Sequence, residues 1–386
     1  MPSFAGQLES ELAALAQANR MRVCPELEGS SRTTTARAGV PLVSFASNDY
    51  LGLASHPALA QAAANAASSH GFGGGAARLV SGDLPPHRDL EAILARYLET
   101  DAALLFSTGY QANVGVMTAL AGPHDLVVSD AANHASLIDG CRLSRATVRI
   151  YPHLDANGAW AALAHPGNYR RRLLVTESLF SMNGDVAPLA DLAAAVRDQD
   201  GVLIVDEAHA LGVLGPRGRG LSAEASVMPD VLVGTLGKAF GSFGGFVAGA
   251  VSLRAFLVNR ARTFIYTTAL PPPVAAASIA ATTLIAGPEG DALRARFADN
   301  VRLMAEALSP AGPATPPRRG GIFPVVVGSD ERALAVSRRL AEQGFFVPAI
   351  RPPTVPEGAA RLRVTVSANH QPAQILALAR ALTALI

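Results

Sequence analysis

The sequence predicts an α/β fold: a mainly parallel central sheet with helices on both faces, and a smaller C-terminal α+β domain. Its 386 residues are about twice what one hydrophobic core organises, and 49% of them are hydrophobic while 16% are charged. From about residue 104, short apolar runs alternate with helical stretches, which is typical of strands buried on both faces of a parallel sheet. These runs lie at 103–107, 126–129, 147–151, 173–176, 202–206 and 231–235.

The first residues and one alanine-rich stretch predict helices outside that alternation. Leu8, Leu12 and Leu15 recur at helical spacing, so we expect an amphipathic helix over 4–19 whose leucine face docks on another surface. Residues 269–287 are uncharged, but three prolines open the stretch and it is too short to cross about 30 Å of hydrocarbon. We expect a buried helix over 272–286.

The last hundred residues predict a second, smaller unit. A proline- and glycine-rich segment at 310–321 interrupts the chain. After it we expect a strand from Phe323, a helix over 330–342, an extended run at 345–350, a strand at 362–366 and a final helix. The predicted domains are therefore an N-terminal arm and short strand segment at 1–50, a large domain at 51–287 and a small domain at 288–386.

Composition excludes several classes of partner. The 32 basic and 31 acidic residues give a net charge of +1, which provides no overall field to attract nucleic acid or an anionic membrane. Cys24 and Cys141 are too few for a disulfide framework, so we expect two core thiols in a reducing compartment. Residues 1–22 lack the apolar core of a signal peptide, which favours a cytoplasmic protein.

Polar residues that follow the predicted strands are the first candidates for chemistry, because parallel sheets bind ligands outside the carboxyl ends of their strands. They lie at 107–110, 133–134, 177–181, 206–209 and 235–238. Asp206 and Lys238 suit pyridoxal 5'-phosphate (PLP), which needs a lysine amine for a Schiff base and a carboxylate to keep its pyridine nitrogen protonated. Lys238 is one of very few lysines in a chain that prefers arginine. Residues 107–113 predict a strand, a glycine turn and a helix whose free N–H groups bind a phosphate.

Two motifs point elsewhere and are weaker. Residues 203–209 match the strand and acidic box of helicase-like NTPases, but the phosphate-binding glycine loop such enzymes require upstream is missing. Gly71–Ala76 resembles a dinucleotide fingerprint, yet it follows a predicted helix at 58–69 where that motif needs a strand. We expect a glycine-rich active-site loop there. The remaining scattered histidines have no partner at metal-ligand spacing, so no metal site is expected.

Together these motifs resemble the PLP-dependent α-oxoamine synthases, a family of the aspartate-aminotransferase fold type (PLP-dependent transferase fold type I). The matching stretches cover nearly the whole chain, at 45–53, 78–82, 133–136, 180–185, 206–209, 234–238 and 265–272. Residues 350–363 are similar to the biotin-pathway member, which condenses L-alanine with a pimeloyl thioester, more than to the aminolevulinate, aminoketobutyrate or sphingoid relatives. A glycine-using aminoketobutyrate relative remains the alternative, and a cofactor-binding regulatory protein is disfavoured because no DNA-binding segment is evident.

The resemblance implies a role for each matching residue. Lys238 would form the Schiff base and remove the substrate's α proton, Asp206 would pair with the pyridine nitrogen, and His134 would stack on the ring and protonate the thioester carbonyl. His209 and Ser181 would contact the phenolic oxygen. The phosphate would be bound by the backbone of Gly109 and Tyr110, by Thr235, and across a homodimer interface by Thr267 or Thr268.

Substrate residues follow from the same resemblance. Arg363 would bind the alanine carboxylate, and Asn48, Thr354 and either Arg20 or Arg22 would bind substrate. The acyl group would arrive on coenzyme A or on an acyl carrier protein. One departure stands out: the family's glycine loop carries serines, whereas this chain has Gly73-Gly-Gly-Ala-Ala77.

Overall fold

The computed structural model describes residues 3–29, 33–308 and 319–386. It divides the chain into two compact units, Asn48–Ala298 and Met1–Ser47, Asp299–Ile386. These limits differ by several residues from the predicted domain boundaries, which stay predictions. Most of the proline- and glycine-rich segment at 310–321 lies outside the described residues.

The smaller unit begins with one helix and two strands. These are α1 (Phe4–Gln17), β1 (Thr34–Arg37) and β2 (Val40–Ser44). The helix predicted over 4–19 is confirmed and ends two residues early. Its Leu8, Leu12 and Leu15 are 43%, 48% and 42% exposed, so the predicted docking of this leucine face is not seen within the described chain.

The larger unit contains seven strands and most of the helices. The strands are β3 (Ala102–Phe106), β4 (Leu126–Asp130), β5 (Thr147–Tyr151), β6 (Arg172–Glu177), β7 (Val202–Asp206), β8 (Val231–Thr235) and β9 (Gly245–Gly249). The helices are α2 (Pro57–His70), α3 (Pro85–Leu98), α4 (Gly109–Leu120), α5 (Ala135–Ser144), α6 (Ala156–Leu163), α7 (Leu189–Asp198), α8 (Gly220–Glu224), α9 (Val251–Arg260), α10 (Arg262–Ile265), α11 (Pro272–Ala286) and α12 (Pro288–Leu308), with 3-10 turns at Leu53–Ser55 and Pro216–Gly218. The division between the units falls within α12.

The strands of this unit form one sheet in the order β3-β9-β8-β7-β6-β4-β5. The run from β8 to β5 is parallel, and β9 is antiparallel to both of its neighbours. All six predicted strands and the mainly parallel sheet are confirmed. Strand β9 was not predicted, because the two glycines of Gly-Phe-Val-Ala-Gly leave an apolar run of only three residues.

The core of the larger unit packs α4 and α5 on this sheet. Ala112, Val116 and Met117 of α4 are completely buried against strand residues such as Val175 and Ile204. Each fully buried aliphatic side chain contributes roughly 1.5–3 kcal/mol, so this layer holds the sheet edges in place. Cys141 lies in the core as predicted, whereas Cys24 is exposed and the expectation of a second core thiol is wrong.

The smaller unit is completed by β10 (Ile322–Gly328), α13 (Asp330–Glu342), β11 (Phe345–Phe346), β12 (Ala349–Ile350), β13 (Ala360–Thr365) and α14 (Pro372–Leu385). Its strands form two three-stranded sheets, β1-β2-β11 and β10-β13-β12. The helix predicted at 330–342 is confirmed to the residue. The extended run predicted at 345–350 is two short strands, one in each sheet. Over the described residues, every helix is too short or too polar to serve as a membrane span.

Candidate active site

The candidate site lies at the carboxyl ends of β6, β7 and β8. Glu177, Asp206 and Thr235 are the last residues of these strands, and Glu177 is paired in register with Asp206. Neighbouring strands lie about 4.8 Å apart, so the strand ends bring these side chains to one edge of the sheet. Lys238 follows β8 by three residues.

Asp206 is buried and its two oxygens have separate donors. Oδ2 accepts a hydrogen bond from Asn113 Nδ2 at 2.7 Å, and Oδ1 accepts one from the amide of Ala208 at 2.8 Å. Asn113 also donates to Ser136 Oγ at 2.9 Å, which ties α4 to α5. Sequence reasoning gave Asn113 no role, because its partner is 93 positions away.

His134 is the N-terminal cap of α5. Its Nδ1 accepts a hydrogen bond from the Ser136 amide at 3.2 Å and lies 2.8 Å from Ser136 Oγ. Burial lowers the pKa of His134. The positive charge of Lys238 lowers it further, and the negative charge of Asp206 acts in the opposite direction. The ring is therefore neutral at pH 7, with its proton on Nε2. The neighbouring Asn133 does not cap this helix; its side chain donates to Ser129 Oγ and to the Val175 carbonyl.

Lys238 is the only lysine in the sequence. Its side chain is half-buried. Its positive charge acts on both His134 and Glu177, as does the negative charge of Asp206. These four side chains therefore form one electrostatically coupled group.

Glu177 is a member of this group that carried no role in the sequence analysis. It is 3% exposed, and burial together with the Asp206 charge raises its pKa to about 8. The nearby backbone groups of His134 and Ser181 act in the opposite direction on this pKa. Ser181 is itself buried, and its backbone lies beside Glu177.

His209 and Asn48 are joined through Tyr50. The Tyr50 hydroxyl lies 2.7 Å from His209 Nδ1 and 3.3 Å from Asn48 Oδ1. Tyr50 is 1% exposed and its ring packs against that of Phe297. Tyr50 thus orients a predicted cofactor residue and a predicted substrate residue, although it had no predicted role.

An anion cradle lies at the N-terminus of α4. Thr108 caps the helix by accepting from the Gln111 amide at 3.1 Å, which leaves the amides of Gly109 and Tyr110 without an intrahelical acceptor. Thr235 Oγ1 lies beside Gly109, 3.6 Å from where a Cβ on that glycine would stand. A Cβ at Gly245 would lie 2.5 Å from the Gly109 nitrogen, so only glycine lets β9 approach the cradle.

The glycine loop and the two threonines lie near this cradle. Ser107 Oγ donates to the Thr268 carbonyl at 3.4 Å, and a Cβ at Gly74 would collide with Ala269. Thr267 is half-buried and Thr268 is exposed. Which of them crosses a subunit interface stays a prediction.

The predicted substrate arginines lie in the smaller unit. Arg20 pairs with Glu357 at 2.6 Å and Asp330 at 3.4 Å, and Arg22 donates to the Pro352 carbonyl at 2.9 Å. Both arginines therefore contact the residues that flank Thr354. On β13 the neighbouring arginines, Arg361 and Arg363, are 8% and 5% exposed.

The donor set fits PLP on observations of this chain alone. The buried Asn113 Oδ1 and Glu177 Oε1 have no hydrogen-bond partner within the described residues, next to a carboxylate and a lysine. The two helix amides at the start of α4 suit an anion such as a phosphate. The Thr235 hydroxyl beside them donates to the Gly244 carbonyl at 2.9 Å and accepts from the Gly237 amide at 3.2 Å. Within the described part of the chain, no group of three or more His, Cys, Asp or Glu side chains is arranged to hold a metal ion.

Comparison with known proteins identifies the class to which this fold and site belong. Residues 40–382 match the family model for aminotransferases of class I and II, and the chain belongs to that family of PLP-dependent enzymes. Within it, the chain is a member of the 8-amino-7-oxononanoate synthases. It is 46% identical to the synthase of Geobacter sulfurreducens over 94% of this chain and 93% of that one, and 46% identical to that of Marinobacter nauticus over 99% and 96%. The synthase of Anaeromyxobacter dehalogenans is 50% identical over 90% and 87%.

Solved structures agree on the fold. A serine palmitoyltransferase from S. paucimobilis with bound PLP and myriocin has a TM-score of 0.92 at 29% identity, covering 98% of this chain and 96% of that one. The 8-amino-7-oxononanoate synthase of Francisella tularensis has a TM-score of 0.77 at 28% identity, covering 89% and 97%. The 46–50% identity to the synthases of Geobacter sulfurreducens, Marinobacter nauticus and Anaeromyxobacter dehalogenans decides membership, because backbone similarity is shared across the whole fold.

Proposed function

We propose that this protein catalyses the decarboxylative condensation of L-alanine with a pimeloyl thioester, yielding 8-amino-7-oxononanoate, carbon dioxide and the free thiol carrier. The observation that carries the proposal is the coupled group of Lys238, Asp206 and His134 at one sheet edge, in a chain that is 44–50% identical to synthases of that name.

When bound, PLP supplies an electron sink that stabilises the carbanion formed at the α carbon of the amino acid. Lys238 would hold the cofactor covalently; the amino group of alanine would displace it, and the freed lysine amine would take up the α proton. The negative charge of Asp206, held in place by Asn113 and Ala208, keeps the ring nitrogen protonated. Gly109, Tyr110 and Thr235 hold the phosphate, and His209 and Ser181 hold the phenolic oxygen.

His134 has the protonation state that its role requires. Because Nδ1 accepts from Ser136, the neutral ring presents its Nε2 proton, which it can donate to the thioester carbonyl oxygen. Burial disfavours the charged ring and so lowers the pKa of His134, which maintains this neutral form with its proton on Nε2.

The remaining roles concern substrates and assembly. Arg363 binds the alanine carboxylate, since its planar fork suits a carboxylate, and Asn48, Thr354 and Arg20 or Arg22 bind the substrates. The enzyme acts in the cytoplasm as a homodimer in which Thr267 or Thr268 reaches the partner's phosphate. The acyl donor is coenzyme A or an acyl carrier protein.

The first experiment uses the single lysine. After incubation with PLP and reduction with borohydride, we expect one covalently attached cofactor on Lys238, located by peptide mass spectrometry. Lys238→Arg should carry none, and the terminal amine, the other primary amine, is the internal control. Attachment elsewhere would contradict the assignment.

The second experiment tests the substrates. L-Alanine, glycine and L-serine are each supplied with pimeloyl-CoA and palmitoyl-CoA, and released carbon dioxide and thiol are measured. We expect turnover with alanine and the pimeloyl thioester. Turnover confined to glycine would favour the aminoketobutyrate relative, and serine with palmitoyl-CoA would favour a palmitoyltransferase; either would contradict the proposal.

A further inference from the structure

Glu177 and Asp206 form a pair of buried acids at the end of two neighbouring strands. They are paired in register between β6 and β7, and the two residues are 3% and 6% exposed. Residues paired in register on parallel strands about 4.8 Å apart point to the same face of the sheet. Two carboxylates held this close away from water do not both ionise, because the second charge is opposed by the first and by desolvation.

Hydrogen bonding decides which of the two acids keeps the proton. Both Asp206 oxygens accept short hydrogen bonds, from Asn113 Nδ2 and from the Ala208 amide, which favours the ionised form. Within the described residues, Glu177 Oε1 has no partner at all, although the atom is buried. A bare anionic oxygen in that position would cost more than a protonated one.

Glu177 also reaches two predicted cofactor residues through their backbone. Its carboxyl group lies beside the backbone of His134 and of Ser181, on the segments after β4 and β6, and both backbone groups act on its pKa. A neutral acid can still contact both backbone groups, so holding a proton and positioning the two segments are compatible.

We propose that Glu177 and Asp206 act as a carboxyl pair that carries one negative charge, with the proton on Glu177, and that Glu177 is a positioning residue for His134 and Ser181. The charged and titratable groups acting on Glu177 are Asp206 from β7, Lys238 from the segment after β8, and His134 from the start of α5. The consequence is that Asp206 is the one anion available to the cofactor's ring nitrogen, a step that rests on the proposed function.

Infrared spectroscopy of the full-length protein, freed of cofactor, tests the protonation directly. At pH 7 we expect a C=O stretching band of a protonated carboxyl group that Glu177→Gln removes. The control is Glu207→Gln, which changes a buried glutamate whose oxygens accept from Ser178 Oγ and from the Leu221 and Ser222 amides, and it should leave that band in place. In Asp206→Asn the pH at which this band disappears should fall by about 2, because the neighbouring charge is gone. A band insensitive to Glu177→Gln, or one that does not respond to Asp206→Asn, would overturn the pair.

Cofactor binding tests the positioning role. Glu177→Gln is a neutral isostere of the protonated acid, so we expect its PLP dissociation constant to stay within about threefold of the wild type, whereas Glu177→Ala should weaken binding at least about tenfold. If Gln is as damaging as Ala, the residue acts as an anion and the proposal fails. The infrared experiment needs neither substrate nor cofactor, so its outcome is separable from a failure of the proposed reaction.

Discussion

Two buried glutamates of the larger unit differ in how completely their oxygens are hydrogen-bonded. Glu91 on α3 accepts from Arg78 Nη1 at 2.9 Å and from the Leu105 amide at 3.0 Å with one oxygen, and from Arg254 Nη2 at 2.8 Å with the other. Glu177 leaves one oxygen without a partner among the described residues. A fully hydrogen-bonded carboxylate is stable as an anion and joins elements together, whereas a buried carboxyl group with an unpartnered oxygen favours the protonated form.

The surroundings of Glu91 and Glu177 differ as well. The Glu91 cluster, which consists of Arg78, Asp83, Glu91 and Arg254, joins α3, β3 and α9 and lines a cavity of about 550 Å³ that contains none of the predicted site residues. Cavity size therefore does not locate this active site. The candidate site is located instead by buried polar atoms without a hydrogen-bond partner among the described residues, Asn113 Oδ1 and Glu177 Oε1, close to the lysine.

The largest effect that would sharpen this comparison is expected at Asp206. Asp206→Asn keeps the shape of the side chain, and a turn of one side-chain amide keeps its hydrogen bond with Asn113. The substitution removes the negative charge that the proposed chemistry needs. We expect kcat to fall about 10²–10³-fold with the melting temperature little changed. Retained turnover would show that the electron sink does not depend on this carboxylate.

At Glu91 the expected effect is on stability. Glu91→Gln leaves two arginines facing a neutral group, one of them 8% exposed, and breaking a buried ion pair in this way costs about 3 kcal/mol. Urea unfolding should show the loss, while kcat per folded molecule is unchanged because no site residue is touched. A drop in kcat at unchanged stability would reverse the roles assigned to the two glutamates.

A third acidic cluster responds to pH. His153 lies between Asp130 at 2.7 Å and Asp185 at 3.0 Å; although burial lowers its pKa, the hydrogen bonds to these two carboxylates raise the pKa to about 9. The folded state thus binds this proton more tightly than the unfolded state, whose histidine titrates at 6.5. The stabilisation is complete below pH 6.5 and is lost as the pH rises towards 9.

Melting curves of wild type and His153→Gln between pH 6 and 9.5 measure this contribution. After allowance for solvent screening of the partly exposed ring we expect roughly 1–2 kcal/mol at pH 6, shrinking towards zero at the alkaline end. A difference between the two proteins that does not vary with pH would show that the histidine acts by packing on Phe180 alone.

The smallest expected effect concerns helix capping: a cap at the candidate site is compared with a cap elsewhere in the chain. Thr108→Ala and Ser329→Ala each remove a side chain that caps a helix, α4 or α13, and each should cost about 1 kcal/mol. Only Thr108→Ala should also weaken PLP binding, because only that helix starts at the proposed phosphate position. Equal PLP affinity in the two variants would move the phosphate away from α4.

The sequence predicted those parts of the molecule that depend on local pattern. Apolar runs identified six strands, and the helix at 330–342 has both a cap and an amphipathic pattern. The long helix α12 was not predicted, because its polar sequence carries little periodic signal, and β9 was hidden by its glycines. Local pattern therefore gave the framework and missed elements whose stability comes from their neighbours.

The candidate site divides in the same way. Asp206 and Lys238 can be recognised as candidate site residues from their residue type and from their position at or after the ends of predicted strands. Asn113, Glu177 and Tyr50 do not, since an amide, a second acid and a buried phenol become informative only when the strand register and the hydrogen bonds are known. Residues that act directly are visible in a sequence, whereas residues that orient them are visible only in a fold.

The single lysine has a consequence for the selectivity of the protein towards reactive aldehydes. Of the 32 lysine and arginine side chains, the other 31 are arginines. Guanidinium groups stay protonated at neutral pH and do not act as amine nucleophiles. An aldehyde that meets this surface therefore finds one side-chain amine, and that amine stands at the candidate site. The rest of the chain offers no competing lysine to capture the cofactor, so loading is directed by composition as well as by the shape of the cradle.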